Sequence, residues 1–409
     1  KASRRKEEKM RAASLGMMLV AATEGLVAGP TTTTTTARWA ATLAEPVPAV
    51  AESPVTMAEC PLTTWGEPID DILEAQAEAK KAQLPFLYEL PAPATEDQVA
   101  WLAARKDEIS AKVSSHGAVV LKGWDLVKTP EGFRSAYEAL GLSPCLDPLH
   151  AVSARPTVAS GVYEAVNKES RANFFIGMHN EFVGTRSPRK AMFVCFKAAD
   201  EGGEFLLADG RRIFRDCEPA LLKKLYEKQI RYSVMELPFF SWIDGLGPLR
   251  DPVASAVQGL VSAAVNAKVD FDVSLQWLDA SAYDDDDART LQARAPQQPP
   301  VLKHPQTGIP TWFCNVHSHS SKLRAQRADV YGAERFESGA SRINKSDMYY
   351  GDGEPLSDAD LQHLDELTNA NLVYLKMQPG DAVLLDNYQT MHGRNVFQGK
   401  RKHAVTWFE

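Results

Sequence analysis

Residues 178–182 read MHNEF, and residues 386–401 read DNYQTMHGRNVFQGKR. In a β-strand, residues two apart point to the same face, so His179 and Glu181 can reach one point in space. An imidazole and a carboxylate on one face supply two neighbouring ligands to a divalent metal. Taken alone, a His-x-Glu triplet also fits a surface pair or a hydrogen-bonded core histidine. The interpretation of the first stretch as part of a metal site therefore depends on the second stretch.

The second stretch contains a candidate third ligand and a candidate anion-binding residue. His392 lies just beyond a predicted strand that ends in LLDN, and Arg401 follows on the next predicted strand. Two histidines and one carboxylate suit ferrous iron, and they leave one face open for a chelating cosubstrate and oxygen. A dicarboxylate cosubstrate needs a fixed cation. The planar guanidinium of arginine meets this need, because it binds a carboxylate through two hydrogen bonds and keeps its charge.

Around these stretches the chain alternates short apolar runs with turns. Predicted strands cover residues 117–124, 191–196, 371–377, 381–386 and 402–408, and predicted helices cover 69–83, 95–113 (capped by Thr95) and about 130–140. Many short strands punctuated by Gly and Pro favour a β-sandwich or barrel over a doubly wound parallel sheet. The sequence has neither a Gly-x-Gly-x-x-Gly turn after a strand nor a Walker-type loop, so nothing supports a nucleotide cofactor.

The chain is predicted to have an N-terminal segment and one catalytic domain. Residues 1–60 are rich in Ala and Thr and are interpreted as a targeting or disordered segment, whose removal would leave a soluble cytoplasmic or organellar protein. A basic stretch before the apolar run 14–22 is typical of a signal or transit segment, but an unstructured tail fits it equally well. Residues 61–409 form the predicted domain. Residues 244–300, with an apolar helix-forming segment and an acidic run, are predicted to be an insertion or lid.

Composition excludes several classes of protein. The 409 residues carry a formal net charge of −8, and no long basic stripe offers a nucleic-acid surface. No apolar run approaches the length of a membrane-spanning helix. The five cysteines are scattered without a Cys-x-x-Cys pair, which predicts small buried side chains in a reducing compartment rather than disulfides or a zinc site. The oligomeric state is left open.

Several blocks, taken in order, resemble the taurine dioxygenase/clavaminate synthase-like superfamily of iron- and 2-oxoglutarate-dependent oxygenases. The resemblance implies a mainly β fold with flanking helices (α+β) around a double-stranded β-helix, or jelly roll. It also implies Fe(II) at His179, Glu181 and His392, and 2-oxoglutarate at Arg401. The matching blocks are GAVVLKGW (117–124), HNEFVGTRSPRKAMFVCF (179–196), GGEFLLADGRR (202–212), KHPQTGIPTWFCN (303–315), YGDGEPLSDADL (350–361), PGDAVLLDN (379–387) and HGRNVFQGKR (392–401).

One position departs from the family, and several others are candidate substrate contacts. Threonine often follows GGE in the family, where its hydroxyl helps to hold the cosubstrate, but this chain has Phe205. The second cosubstrate contact is therefore in question, whereas the Arg401 anchor is not. The pair His317 and His319 is predicted to line the pocket or to be structural rather than to bind the metal. The predicted substrate contacts are Tyr163, Asn173, Asn315 and Arg394.

The function implied is oxidation of a small polar substrate such as an amino-acid derivative. Oxidative decarboxylation of 2-oxoglutarate by molecular oxygen would be coupled to hydroxylation or a related C–H oxidation. Two alternatives stay open: a zinc-dependent hydrolase that uses the same three ligands, and a catalytically inactive binding module of the same fold. A hydrolase has no need for Arg401, and Phe205 is the only sequence feature that supports an inactive fold.

Overall fold

The structure is a computed structural model. It describes residues 68–146, 156–159, 161–165, 167, 172–182, 186–266, 273–278, 290–331 and 347–409. The predicted segment 1–60 and the acidic run 284–287 lie outside these ranges. Within them, no helix has the length and apolar character needed to cross a membrane.

Strands and helices are mixed along the whole described chain. The strands are β1 (Tyr88–Pro91), β2 (Ala118–Lys122), β3 (Pro144–Cys145), β4 (Thr157–Ala159), β5 (Val162–Glu164), β6 (Ile176–His179), β7 (Lys190–Lys197), β8 (Glu201–Gly202), β9 (Phe205–Asp209), β10 (Ile230–Leu237), β11 (Ser274–Leu278), β12 (Thr290–Arg294), β13 (Val301–Lys303), β14 (Pro310–Trp312), β15 (Met348–Tyr350), β16 (Val373–Leu375), β17 (Ala382–Asp386), β18 (Thr390–Arg394), β19 (Phe397–Gln398) and β20 (Lys402–Phe408). The helices are α1 (Ile69–Ala79), α2 (Gln98–Ala104), α3 (Lys106–His116), α4 (Pro130–Ala139), α5 (Gly210–Asp216), α6 (Pro219–Lys228), α7 (Arg250–Asn266), α8 (Val316–His319), α9 (Ser321–Tyr331) and α10 (Asp358–Ala370), with 3-10 segments at Asp125–Lys128 and Pro238–Leu249.

The largest sheet has eight strands in the order β1-β2-β17-β7-β20-β5-β4, with β3 paired to β20. Side chains alternate between its two faces, as the pleat requires. On β7, Met192 and Val194 belong to a core that includes Leu102, Ile109 and Phe133 of helices α2, α3 and α4. Helices thus cover this face, and a second sheet covers the opposite face. Because both faces are covered, the strands read as continuous apolar runs.

The other face of the large sheet packs against a smaller antiparallel sheet, with the order β16-β9-β18-β6. Phe193 and Cys195 of β7 share a buried cluster with Phe205 and Leu207 of β9. The alternate residues of β9, including Leu206, pack on the far side of this smaller sheet in the core that contains α5 and α6. The protein is thus a mixed α/β structure with two sheets face to face and helices outside them.

One predicted helix differs from the structure in its extent and in its cap. The helix predicted over 95–113 is two helices, α2 and α3, and Arg105 between them has non-helical φ and ψ of −120° and 13°. Its cap is Asp97, whose side chain accepts a hydrogen bond from the amide of Ala100, so the prediction of Thr95 was wrong. Asp97 sits where the first free N–H groups point, which is the position that defines a cap.

The region 244–300 contains α7, β11 and β12 in its described part. Strand β12 pairs with β10, so part of this region extends a four-stranded sheet in the order β11-β12-β10-β15. The helix predicted inside this region is confirmed. Its role as an insertion or lid stays a prediction.

Four cysteines support the prediction of small buried side chains. They are not part of disulfides, and burial raises the pKa of three of their thiols to about 12, so these thiols stay protonated. The fifth, Cys60, lies outside the described residues. The four described cysteines are Cys145, Cys195, Cys217 and Cys314. The pKa is raised for the thiols of Cys195, Cys217 and Cys314.

Candidate active site

Three metal-binding side chains meet between the two sheets. The antiparallel register of β6 and β18 places His392 directly opposite His179. Glu181 follows two residues after His179, just beyond the end of β6. One ligand atom from each of the three lies within 4.8 Å of the others, and no second group of three or more such residues occurs in the described part of the chain. Backbone pairing thus brings together residues that are far apart in sequence.

These side chains lie close enough together to hold one ion after small side-chain adjustments. The Nε2 atoms of His179 and His392 lie 3.9 Å and 4.0 Å from Oε2 of Glu181. Two ligands bound at about 2.1 Å to one ion can be at most about 4.2 Å apart. Nδ1 of His179 lies 2.8 Å from the carbonyl oxygen of Gly177, a contact in which Nδ1–H donates and Nε2 keeps its lone pair for a metal. The donor set of two imidazoles and one carboxylate suits Fe(II).

A buried asparagine fixes the backbone that carries Glu181. The side-chain oxygen of Asn387 accepts a hydrogen bond of 2.8 Å from the amide of Glu181, and its Nδ2 donates a bond of 2.8 Å to the carbonyl oxygen of Glu181. Nδ2 also lies 2.9 Å from Oγ of Ser187. Asn387 was missed by the sequence interpretation, although it lies inside the DNYQTMHGR stretch that contains His392.

A second asparagine, Asn315, supports the same segment one residue earlier. Its side-chain oxygen accepts from the amide of Asn180 at 2.9 Å, and its Nδ2 donates to the carbonyl oxygen of Asn180 at 3.0 Å. Asn315 was predicted to contact substrate. The structure places its amide against the backbone between the two ligands, and Asn315 is not among the described residues that line the cavity beside them, so its contact with substrate stays a prediction.

We expect Asn387→Ala to weaken both the fold and the metal site. The buried amide of Glu181 would lose its partner, at a cost of about 1–3 kcal/mol in the free energy of unfolding, whereas the carbonyl oxygen of Glu181 would keep its hydrogen bond from Oγ of Ser187. Metal affinity should fall by roughly 10- to 100-fold, as for other groups that orient a ligand. Chemical denaturation and Fe(II) titration would measure both. Asn387→Asp retains the acceptor but not the donor and should lie between wild type and Asn387→Ala; equal metal affinity in all three proteins would contradict this role.

A cavity of about 170 Å³ opens beside the three side chains. It extends from the metal-binding group to Arg401, so both predicted parts of the site face one space. Its lining is apolar and aromatic apart from the three ligands and two arginines. The lining residues are Ala165, Phe174, Ile176, His179, Glu181, Phe193, Phe205, His392, Gly393, Arg394 and Arg401.

Arg401 is a buried cation whose hydrogen-bond partners among the described residues are neutral. Only 7% of the residue is exposed, and Nη1 donates to the carbonyl oxygen of Ala165 and to the side-chain oxygen of Asn167, each at 3.2 Å. Nε has no hydrogen-bond partner among the described residues. Burial lowers the pKa of Arg401 to about 10, so the guanidinium is still charged at neutral pH. A buried charge without an anion is costly, which makes this position suited to an anionic ligand.

Aromatic side chains surround His392. Phe205 stacks on its imidazole with 6.1 Å between ring centroids, and Phe193 lies 4.9 Å from it. Trp407, on β20, is 6.1 Å away. The residue that departs from the family pattern therefore packs against a ligand and shields it from water.

We expect Phe205→Thr to destabilise the protein. Truncating a buried phenylalanine costs about 3–5 kcal/mol in cores, and here it would also loosen His392. Urea unfolding would show the loss, and a matched change far from the cavity, Phe240→Thr in the cluster with Ile243, separates general core damage from the effect on metal affinity. A Phe205→Thr protein as stable as wild type would contradict this packing role.

Of the remaining predicted contacts, some line the cavity and others do not. Arg394 lines the cavity, and its Nη2 donates to the carbonyl oxygen of Phe174. Tyr163 and Asn173 are not among the described lining residues, so their roles stay predictions. His317 and His319 lie on the helical turn α8 rather than on a strand, so residues two apart do not share a face and cannot chelate together.

Comparison with known proteins defines the class. The model of the "Taurine catabolism dioxygenase TauD, TfdA family" matches residues 90–407. A clavaminate synthase-like protein of Arabidopsis thaliana is 24% identical over 74% of this chain and 84% of its own length. The dapdiamide synthesis protein DdaC of Enterobacter agglomerans is 27% identical over 61% of this chain and 70% of its own. The solved structure of PvcB from Pseudomonas aeruginosa is 14% identical, with a TM-score of 0.44, over 80% of this chain and 86% of that one.

The family match places the chain in a class of dioxygenases. Because the family model covers most of the chain, the protein belongs to the taurine catabolism dioxygenase TauD, TfdA family. The predicted resemblance is confirmed, and with it the dioxygenase class. The three candidate ligands fit the predicted iron.

Proposed function

We propose that this protein couples oxidative decarboxylation of 2-oxoglutarate to hydroxylation, or a related C–H oxidation, of a small polar substrate. The observation that carries the proposal is the buried guanidinium of Arg401, which forms no ion pair with a described residue and lies in the same cavity as His179, Glu181 and His392. A hydrolytic metal site needs only the metal and an activated water. A buried fixed cation beside the metal is instead what a dicarboxylate cosubstrate requires.

Each side chain then has a distinct task. His179, Glu181 and His392 would hold Fe(II), which would supply the oxidising chemistry with molecular oxygen and 2-oxoglutarate. Arg401 would pair with the distal carboxylate of 2-oxoglutarate. Asn315 and Asn387 act as positioning residues for the segment that carries Glu181. The facing sheets correspond to a double-stranded β-helix core within a catalytic domain of residues 61–409.

Arg394 is the proposed substrate contact. It is the second guanidinium at the cavity and lies two residues beyond His392 on the same strand, so both side chains are on one face of β18. A positive group there favours a substrate with a carboxylate or another acidic group. This agrees with a small amino-acid derivative.

We expect Arg394→Ala to act on the substrate rather than on the cosubstrate. Losing one charge-assisted hydrogen-bonding partner should raise KM for an acidic substrate by roughly 10- to 100-fold, the equivalent of about 1.5–3 kcal/mol. The Kd for 2-oxoglutarate should change little, because Arg401 is retained. Substrate-dependent succinate release measures the first quantity and anaerobic titration the second. A parallel weakening of 2-oxoglutarate and substrate would contradict the assignment.

The decisive test of the proposed function is an anaerobic titration of metal-free full-length protein with Fe(II) and 2-oxoglutarate. The chelate of the two gives a visible charge-transfer band. A saturable band would support the oxygenase. If the protein retains zinc and gives no band with iron, the zinc hydrolase or the inactive module becomes the better interpretation.

A further inference from the structure

A second, larger cavity lies beside the first and shares Arg401 with it. Its volume is about 550 Å³, and Arg401 is the one lining residue common to both cavities among those described. Four of its lining residues are cations and one is a carboxylate. The lining residues are Val158, Glu164, Asn167, Lys197, Lys400, Arg401 and Lys402.

Two lysines of this cavity lie opposite each other on neighbouring strands, where their positive charges repel. Lys197 on β7 is the direct cross-strand partner of Lys402 on β20, at a point where the register shifts. Like charges directly opposite on neighbouring strands destabilise a sheet. Lys197, Lys400 and Lys402 form no ion pair with any described residue. The single carboxylate, Glu164, accepts a hydrogen bond of 3.3 Å from Nδ2 of Asn167.

Arg401 adds an independent observation at the inner end of this cavity. It is the buried member of the cluster, with 7% of the residue exposed, and its Nε lacks a hydrogen-bond partner among the described residues. Its Nη1 bonds to Asn167, which lines the outer cavity, and to Ala165, which lines the inner one. Arg401 therefore links the two spaces, and it forms no ion pair with a described carboxylate.

We propose that the outer cavity, lined by Lys197, Lys400, Lys402 and Arg401, binds a phosphate-type dianion. Flexible lysines serve as point charges for phosphate, and arginine adds directed hydrogen bonds. An anion would also remove the repulsion between Lys197 and Lys402. A cavity of about 550 Å³ lies within the range of small-molecule sites, roughly 300–1,000 Å³, so an organic group attached to the phosphate also fits.

The shared guanidinium couples the two cavities. A phosphate in the outer cavity draws on the charge of Arg401, which the proposed function assigns to 2-oxoglutarate. Phosphate should therefore weaken 2-oxoglutarate binding, and by linkage 2-oxoglutarate should weaken phosphate binding by the same factor. The coupling rests on the proposed function, whereas phosphate binding itself does not.

The test is calorimetric titration of the full-length, iron-loaded protein with inorganic phosphate at low ionic strength. The informative variant carries Lys197→Gln, Lys400→Gln and Lys402→Gln, which leaves Arg401 and the metal ligands intact. The matched control neutralises three exposed lysines that do not line the cavity, Lys80, Lys106 and Lys223. We expect wild type and control to bind phosphate alike and the cavity variant to bind it at least tenfold more weakly.

The same titration with ethyl phosphate separates a free phosphate from one attached to a larger molecule. Tighter binding of ethyl phosphate than of inorganic phosphate would identify an organic phosphate as the ligand, and the reverse order would identify the free ion. Equal phosphate affinity in the cavity variant and the control would overturn the proposal. The proposal would also be overturned if wild type did not bind phosphate and the cavity variant bound 2-oxoglutarate with a slower association rate. That result would mean that the lysines only attract 2-oxoglutarate from solution. A normal charge-transfer band in either case would leave the oxygenase assignment standing.

Discussion

His392→Ala is expected to abolish turnover and the charge-transfer band of the iron–2-oxoglutarate chelate. His392 is one of three ligands and is held opposite His179 by strand pairing, so no other described side chain can replace it. Changes to residues that only orient a ligand already cost about 10- to 100-fold in affinity or activity, and removing a ligand should cost well over 100-fold. Succinate release and the anaerobic titration measure the two effects.

A matched control for this change is His363→Ala. His363 is on α10, its side chain is 36% exposed, and it is not part of the metal-binding group. It should leave both readouts unchanged. Comparable thermal stability of the two variants would show that loss of activity in His392→Ala is not loss of fold. Full activity in His392→Ala would refute the assignment of the three ligands.

Arg401→Ala is expected to weaken 2-oxoglutarate binding while Fe(II) still binds. Truncating one partner of a buried charge pair costs about 2–5 kcal/mol, or roughly 30-fold to several thousand-fold in Kd. Since Arg401 is not a metal ligand, the affinity for Fe(II) measured without 2-oxoglutarate should stay near that of wild type. Anaerobic titration with increasing 2-oxoglutarate gives the shift directly.

The control for this second prediction is Arg134→Ala, because Arg134 is an exposed arginine that pairs with Glu138 on the helix surface. Arg401→Lys keeps the charge but loses the planar pair of donors, so its 2-oxoglutarate affinity should lie between wild type and Arg401→Ala. If Arg401→Ala and Arg134→Ala bind 2-oxoglutarate equally well, Arg401 does not hold the cosubstrate.

The local sequence pattern was sufficient to predict elements that depend on a few neighbouring residues. The strand 402–408 and the helix beginning at Pro130 appear as predicted, since a short apolar run and an N-terminal proline act within a few residues. Local pattern was insufficient for His317 and His319, because a short His-x-His run has no periodicity that separates a strand from a helical turn. It also misplaced the helix cap at Thr95, because Asp97 competes for the same role two residues later.

The sequence by itself determined the family, the candidate ligands and the candidate anion-binding arginine, because these depend on residue type and on the order of short motifs. Only the tertiary structure decided how the site is supported. Asn387 bonds to the backbone of Glu181 from 206 residues away, and Asn315 bonds to that of Asn180 from 135 residues away. Hydrogen bonds between amides and backbone are indifferent to sequence separation and leave no periodic signature. The opposed lysines Lys197 and Lys402 likewise become neighbours only through the register of two strands.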